Sequence, residues 1–235
     1  MFGKYDIPSS IVQEGISLSI EREGDSLRYR RECKGEKVEK ILLTTNGKIL
    51  VNPIEPLNKP KELTPYLLIE FGNALVVEPR ATQRVFIKFP IEIGVFISKD
   101  QDFEILDVCT LVKQKFTLYG DPRTGFICKH FTSDVYPLLP SADRLTEGVI
   151  DLNITNTTAS WAEVTKAVFN AYGMKIYYSD NLVSMRANMK VKGAQVAEND
   201  FIDSSLETGM KKSLELYASR KLSITSTKFV MELGL

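Results

Sequence analysis

The sequence predicts an all-β protein, an antiparallel β-sandwich with one or two short helices. Apolar and polar residues alternate with a period of two in many short runs, and Leu67–Phe71 is a clear example. Gly, Pro and Asn separate these runs at intervals of about 8–12 residues, which is typical of sandwiches and barrels. The sequence lacks the strand–helix alternation of parallel α/β folds, so a Rossmann fold or TIM barrel is not expected.

The first 62 residues predict strands joined by tight turns. Apolar and polar residues alternate in Ile16–Glu32 on both sides of a polar turn, and this pattern predicts a hairpin. Val38–Thr44 and Lys48–Val51 are further strands, and Asn46 with Gly47 between them favours a second hairpin turn. Four prolines then mark a loop, which we interpret as a boundary.

The central stretch, Thr64–Ser98, predicts successive strands. Gly72 and Asn73 tolerate positive φ, so a turn is expected there. Pro90 is expected to end a strand, because it cannot donate to a ladder. A polar turn, two strands and a hairpin across Gly120–Gly125 are expected to follow.

The spacing of apolar residues and Asn in the central stretch recurs 83 positions later in the chain. A shared offset over several elements predicts an internal duplication, although apolar strands also resemble one another by chance. The expected units are residues 1–145, comprising a hairpin-rich segment (1–62) and a first repeat (63–145), and residues 146–235. The matching positions are Leu67, Ile69, Phe71 and Asn73 with Ile150, Leu152, Ile154 and Asn156; Val85, Phe86 and Phe89 with Val168, Phe169 and Tyr172; and Ile93 and Val95 with Ile176 and Tyr178.

Three C-terminal segments complete the prediction. Thr158–Tyr172 fits either a capped helix or a strand, and its β-branched residues favour the strand. Asp200–Glu215 has Leu206 and Met210 at helical spacing and predicts a short helix or a surface loop. Leu222–Glu232 predicts a final strand.

Composition narrows the class of protein. The 235 residues carry a formal net charge of +0, which gives no general attraction to nucleic acid, and the basic residues of Arg28–Lys40 alternate with glutamates. No apolar run reaches the length that crosses a bilayer, and the N-terminus lacks a signal-peptide pattern, so we expect a cytoplasmic protein without membrane insertion. Three widely spaced cysteines are expected to be reduced.

A zinc site is one hypothesis for chemistry. Cys128 and His130 lie two positions apart on a predicted strand and so share a face, and Cys109 lies on a neighbouring predicted strand. These three could bind Zn²⁺ with Asp134 as a fourth ligand, although the usual Cys-x-x-Cys spacing is missing. A core cysteine beside a half-exposed histidine explains the same residues. No cofactor other than zinc is suggested, and phosphate-binding glycine loops are absent from the sequence.

A ligand-binding sheet face is a second hypothesis. Glu70 and Glu92 interrupt apolar strands, and Arg84 begins another. Such groups on neighbouring strands could bind a sugar or small molecule, with Gly94 leaving space beside Glu92. The simpler interpretation is a solvated sheet face.

The opening MFGKYDIP, the segment PIEIGVFIS (Pro90–Ser98) and the chain length resemble an archaeal family of uncharacterised proteins, the domain of unknown function 432. The resemblance covers nearly the whole chain and implies an archaeal, cytoplasmic protein. It implies no activity and no site residues.

These patterns favour a non-catalytic binding or regulatory module that engages a protein partner through a sheet face or edge. The alternatives are a small-molecule or carbohydrate-binding sandwich that uses Glu70, Arg84 and Glu92, and a metal-dependent enzyme that uses the Cys/His site.

Overall fold

The computed structural model describes residues 1–61, 63–99, 102–216 and 227–235. The predicted all-β class is confirmed, because the regular structure of these residues is nearly all strand, with one short 3-10 helix at Ala171–Gly173. Within the described residues, no helix could traverse a bilayer. The strands form four sheets, and two large apolar cores group these sheets into two sandwiches.

The first sandwich consists of two four-stranded antiparallel sheets. One is a meander of β2 (Ser9–Gln13), β3 (Ile16–Glu23), β4 (Ser26–Cys33) and β5 (Glu36–Leu42). The other has the order β1 (Gly3–Asp6), β6 (Lys48–Ile54), β9 (Glu92–Lys99) and β10 (Asp102–Cys109). Alternate residues of both sheets, among them Ile20, Leu27 and Val95, form one buried cluster.

The second sandwich combines a four-stranded and a seven-stranded sheet. The smaller has the order β11 (Phe116–Tyr119), β12 (Phe126–Ser133), β7 (Tyr66–Val77) and β14 (Ala162–Asn170). The larger has the order β18 (Lys211–Lys212), β15 (Tyr177–Tyr178), β16 (Val183–Val191), β13 (Glu147–Asn156) and β8 (Thr82–Pro90), with β17 (Ala197–Ile202) beside β16 and β19 (Phe229–Met231) beside β17. Both sheets contribute to a single apolar core.

The chain passes between the sandwiches more than once. It leaves the first sandwich after β6, builds β7 and β8 of the second, and returns for β9 and β10. The predicted strand end at Pro90 marks this return, because only Ile91 separates β8 from β9. The expected boundary between residues 145 and 146 falls inside the second sandwich, where Ile150 of β13 pairs with Ile87 of β8.

The strands of the two predicted repeats pair with each other. β7 pairs antiparallel with β14, and β13 pairs antiparallel with β8. In addition, β7 pairs in parallel with β12, and β13 pairs in parallel with β16. The parallel pairs differ from the antiparallel arrangement that the sequence favours. The register is displaced by one residue between the halves, since Leu67 faces Phe169 whereas Ile150 faces Ile87. The duplication stays a prediction.

Two predicted turns are wrong. Asn46 and Gly47 do not close a hairpin, because β5 and β6 lie in different sheets. Gly72 and Asn73 lie within β7, which continues to Val77 against β14. In both places the long-range pairing of strands overrides the local preference for a turn.

The structure decides between the alternatives predicted for two C-terminal segments. For Thr158–Tyr172 the predicted strand is confirmed, because β14 occupies Ala162–Asn170. The described part of 200–215 holds the end of β17 and the two residues of β18 rather than a helix. The predicted final strand is described only at its end, as β19, since residues 217–226 lie outside the described part of the chain.

Candidate functional site

A groove of about 650 Å³ lies where the two sandwiches meet. Strands β1, β6 and β10 supply one wall, and β15 with the segment 211–214 supplies the other. Junctions between structural units are frequent positions for ligand sites. The lining residues are Gly3, Lys4, Leu50, Asn52, Phe103, Tyr178, Lys211, Lys212, Ser213 and Leu214.

Aromatic and aliphatic side chains form much of the groove wall. Phe103 comes from β10, and Tyr178 comes from β15 in the other sandwich. Tyr178 also packs edge-on against Phe2, with ring centroids 5.7 Å apart, and this contact joins the N-terminal segment to the second sandwich. The Lys4 ammonium lies 5.2 Å from the centroid of the Phe103 ring, so one cation of the groove lies over an aromatic ring.

Asn52 is the more deeply buried of two buried polar residues in the groove wall, with 1% of its surface exposed; the other is Ser213. Its Nδ2 donates to Ser213 Oγ at 2.7 Å and to the Pro53 carbonyl at 3.2 Å. The Ser213 hydroxyl in turn donates to that carbonyl. Asn52 Oδ1 accepts no hydrogen bond from the residues that the structure describes. A buried acceptor without a partner costs about 1–3 kcal/mol.

Three lysines give the groove a positive charge. Lys212 is partly neutralised by Asp203, at 2.6 Å, and by Glu215, at 3.4 Å. Lys4 and Lys211 are exposed, and neither forms an ion pair with the described part of the chain. An anionic group in the groove would therefore meet cations whose charge is not already matched by neighbouring carboxylates.

A buried carboxyl group anchors the segment behind the groove. Glu55, just after β6, is 3% exposed and accepts hydrogen bonds from the Leu216 backbone N–H at 3.3 and 3.4 Å. Burial raises the pKa of Glu55 from 4.5 to about 8, although these hydrogen bonds act in the opposite direction. Glu55 is therefore largely protonated at neutral pH.

The predicted ligand residue Glu92 is fully buried and belongs to an internal ion pair. It contacts Lys129 Nζ at 2.8 Å and accepts the backbone N–H groups of Asn58, at 2.9 Å, and Lys59, at 3.1 Å. Burial lowers the pKa of Lys129, and Glu92 partly offsets this effect. The expected space at Gly94 does not exist, because a Cβ there would meet the Phe96 ring at 2.6 Å.

Arg84 and Glu70 lie in separate ion pairs. Arg84 binds Asp151 through Nε at 2.7 Å and Nη2 at 3.1 Å, and Arg186 Nε binds the same carboxylate at 2.9 Å. Glu70 Oε2 lies 2.8 Å from His130 Nε2 on the smaller sheet of the second sandwich. The three predicted ligand residues therefore have different partners and do not converge on one site.

The structure also separates the predicted zinc ligands. Cys109 is buried in the core of the first sandwich, whereas Cys128 is buried in the core of the second. His130 is engaged with Glu70. Among the described residues, no group of three or more His, Cys, Asp or Glu side chains could hold a metal ion.

Sequence reasoning missed the groove residues. One signal was available, because Asn52 interrupts the apolar run Ile49–Ile54, and a polar residue within a buried strand needs a partner. Phe103, Tyr178 and Lys211 carry no comparable signal, since only the tertiary fold brings them together.

The fold places this chain among all-β sandwich proteins. It belongs to the family described as protein of unknown function DUF432, whose model matches residues 1–232. No curated protein and no solved structure matches the chain.

Proposed function

We propose that this protein is a non-catalytic binding protein whose groove takes up a small anionic molecule with a flat apolar group. The observation that carries the proposal is the groove itself, in which the cations of Lys4 and Lys211 lie beside an aromatic wall and have no ion pair within the described part of the chain. The groove combines apolar rings with converging polar groups, as ligand sites generally do. Glu70, Arg84 and Glu92, which the sequence suggested for this role, take no part in it.

Each part of the groove matches one part of such a ligand. Lys4 and Lys211 favour a carboxylate, sulfonate or phosphate. Phe103 and Tyr178 offer apolar ring surface. Aromatic acids and nucleotides share these features.

Anilinonaphthalene sulfonate is a suitable first probe, because it combines aromatic rings, an N–H donor and an anionic group. We expect saturable binding, measured by fluorescence and calorimetry. Lys4→Glu and Lys211→Glu should each weaken binding about tenfold, which corresponds to about 1.4 kcal/mol for a lost charge contact.

Lys190→Glu is the matched control, because Lys190 is an exposed lysine on β16 outside the groove. It should leave the affinity unchanged. Equal binding by the wild-type protein and the two groove variants would refute the assignment of the groove. Native mass spectrometry of the protein from its own source would then search for a different ligand.

A protein partner at the edge strand β11 is the second candidate. β11 ends the order of its sheet, and Phe116 and Leu118 on it are exposed. The Lys115 carbonyl accepts the His130 N–H at 2.9 Å, so the backbone groups of the alternate residues Phe116 and Leu118 point away from β12. Such an edge can accept an added strand.

The expected partner is an extended segment in which apolar and acidic residues alternate, because Lys113 and Lys115 precede the edge. A fluorescent peptide of alternating Val and Glu should bind the wild-type protein and lose binding in the Phe116→Lys, Leu118→Lys double variant. Leu43→Lys changes an exposed leucine elsewhere and should have no effect. Binding that survives the double variant would contradict this candidate.

The cytoplasmic location, the archaeal origin and the internal duplication remain predictions from the sequence. The pairing of β7 with β14 and of β13 with β8 supports the duplication.

A further inference from the structure

Two of the three thiols meet in the core of the first sandwich. Cys33 ends β4 and Cys109 ends β10, and these strands belong to facing sheets. The two residues are 3% and 1% exposed and lie in the same apolar cluster. Cys128 is buried in the other sandwich.

Side-chain contacts fix β4 against β10 beside these thiols. Tyr29, Arg31 and Cys33 share one side of β4, because alternate residues of a strand face the same way. The Tyr29 hydroxyl donates to Asp107 Oδ2 at 3.1 Å, and Arg31 Nε donates to the same oxygen at 2.9 Å. Asp107 lies two residues before Cys109, so this network aligns the ends of the two strands.

The two thiols are close neighbours in the core. Cys33 Sγ donates to the carbonyl oxygen of Thr110, the residue after Cys109, at 3.6 Å. The neighbouring Cys109 thiol lowers the pKa of Cys33 to about 7, with a further contribution from the Arg31 guanidinium, while burial acts in the opposite direction. Cys33 is therefore the more nucleophilic partner, since the thiolate is the reactive form.

We propose that Cys33 and Cys109 form a reversible intramolecular disulfide that joins the two sheets of the first sandwich, with a low-molecular-weight disulfide as the oxidant. The Cys33 thiolate attacks one sulfur of that disulfide, breaks its S–S bond and releases one thiolate. Cys109 passes its proton to the released thiolate, and its sulfur then attacks Cys33 Sγ of the mixed disulfide and releases the second thiolate. The protein loses two protons and two electrons, and the oxidant becomes two thiols.

The oxidant reaches Cys33 through the adjacent turn. Lys34 and Gly35 are exposed and have positive φ values of 47° and 81°, as in a tight two-residue hairpin. Opening of this turn exposes the end of β4 without unfolding the core.

The test exposes the native protein to oxidised glutathione, with refolding in the same buffer as a second arm. The intact mass should fall by two hydrogen atoms, and peptide mapping should identify a Cys33–Cys109 link that dithiothreitol reverses. Alkylation in urea should modify both Cys33 and Cys109 before the native protein is oxidised, and neither of them afterwards. Cys128→Ala should behave like the wild-type protein, whereas Cys33→Ala and Cys109→Ala should form no internal link.

Three results would overturn the proposal. One is the absence of the link in both arms, a second is a link that involves Cys128, and the third is a stable glutathione adduct in place of the internal bond. Circular dichroism of the reduced alanine variants establishes that they are folded, so that a missing link reflects the missing thiol.

Discussion

The buried Glu55 should make the stability of the protein fall as pH rises. In the folded protein its pKa is about 8, whereas the unfolded chain has the ordinary value of 4.5. Between these values the folded state binds more protons than the unfolded state, so the free energy of unfolding decreases with increasing pH. A pKa change of this size corresponds to about 5 kcal/mol, all of it lost by about pH 9.

Glu55→Gln removes this titration and keeps a neutral side chain of the same shape that still accepts the Leu216 N–H. We expect equal stability of the wild-type protein and the variant near pH 4, and a variant more stable by up to about 5 kcal/mol near pH 9. The assay is urea denaturation at a series of pH values, with the exposed Glu14→Gln as the control. If the Glu55→Gln and wild-type profiles run parallel, Glu55 is not the buried acid that we describe.

Two further predictions concern the interior. Lys129→Met leaves the fully buried Glu92 without its cation and should cost about 3–5 kcal/mol in chemical denaturation, and Glu92→Gln in the same chain should recover part of this loss. Full additivity of the two changes would show that the pair is not coupled. The Cys33–Cys109 disulfide closes a loop of about 77 residues and should stabilise the oxidised protein by about 4 kcal/mol against urea. Equal midpoints for the oxidised and reduced forms would contradict the loop-closure argument.

The sequence predicted strands better than it predicted their partners. Alternation identified β3 and β4, because one face of each meets an apolar core. It could not predict that β5 and β6 join different sheets, since Asn46 and Gly47 favour a hairpin locally. Sheet membership depends on contacts between residues far apart in the chain.

The candidate sites also depend on contacts between distant residues that the sequence does not predict. Glu92 was singled out because a carboxylate in an apolar strand is unusual, and the feature is real. Its partner Lys129 lies 37 positions away on another sheet, so the sequence could not distinguish an internal ion pair from a ligand site. The groove depends on five segments that meet only after folding, and Asn52 alone carried a local signal.

The path of the chain has a consequence for synthesis on the ribosome. The first sandwich lacks half of one sheet until β9 and β10 have emerged. Before then β7 and β8 are already outside the tunnel, while their partners β13 and β14 are still untranslated. Apolar strands such as β7 therefore have unpaired edges during part of translation. Unpaired edges of this kind favour aggregation. A nascent chain of this kind would benefit from a chaperone that covers Tyr66–Pro90 until the second half of the polypeptide arrives.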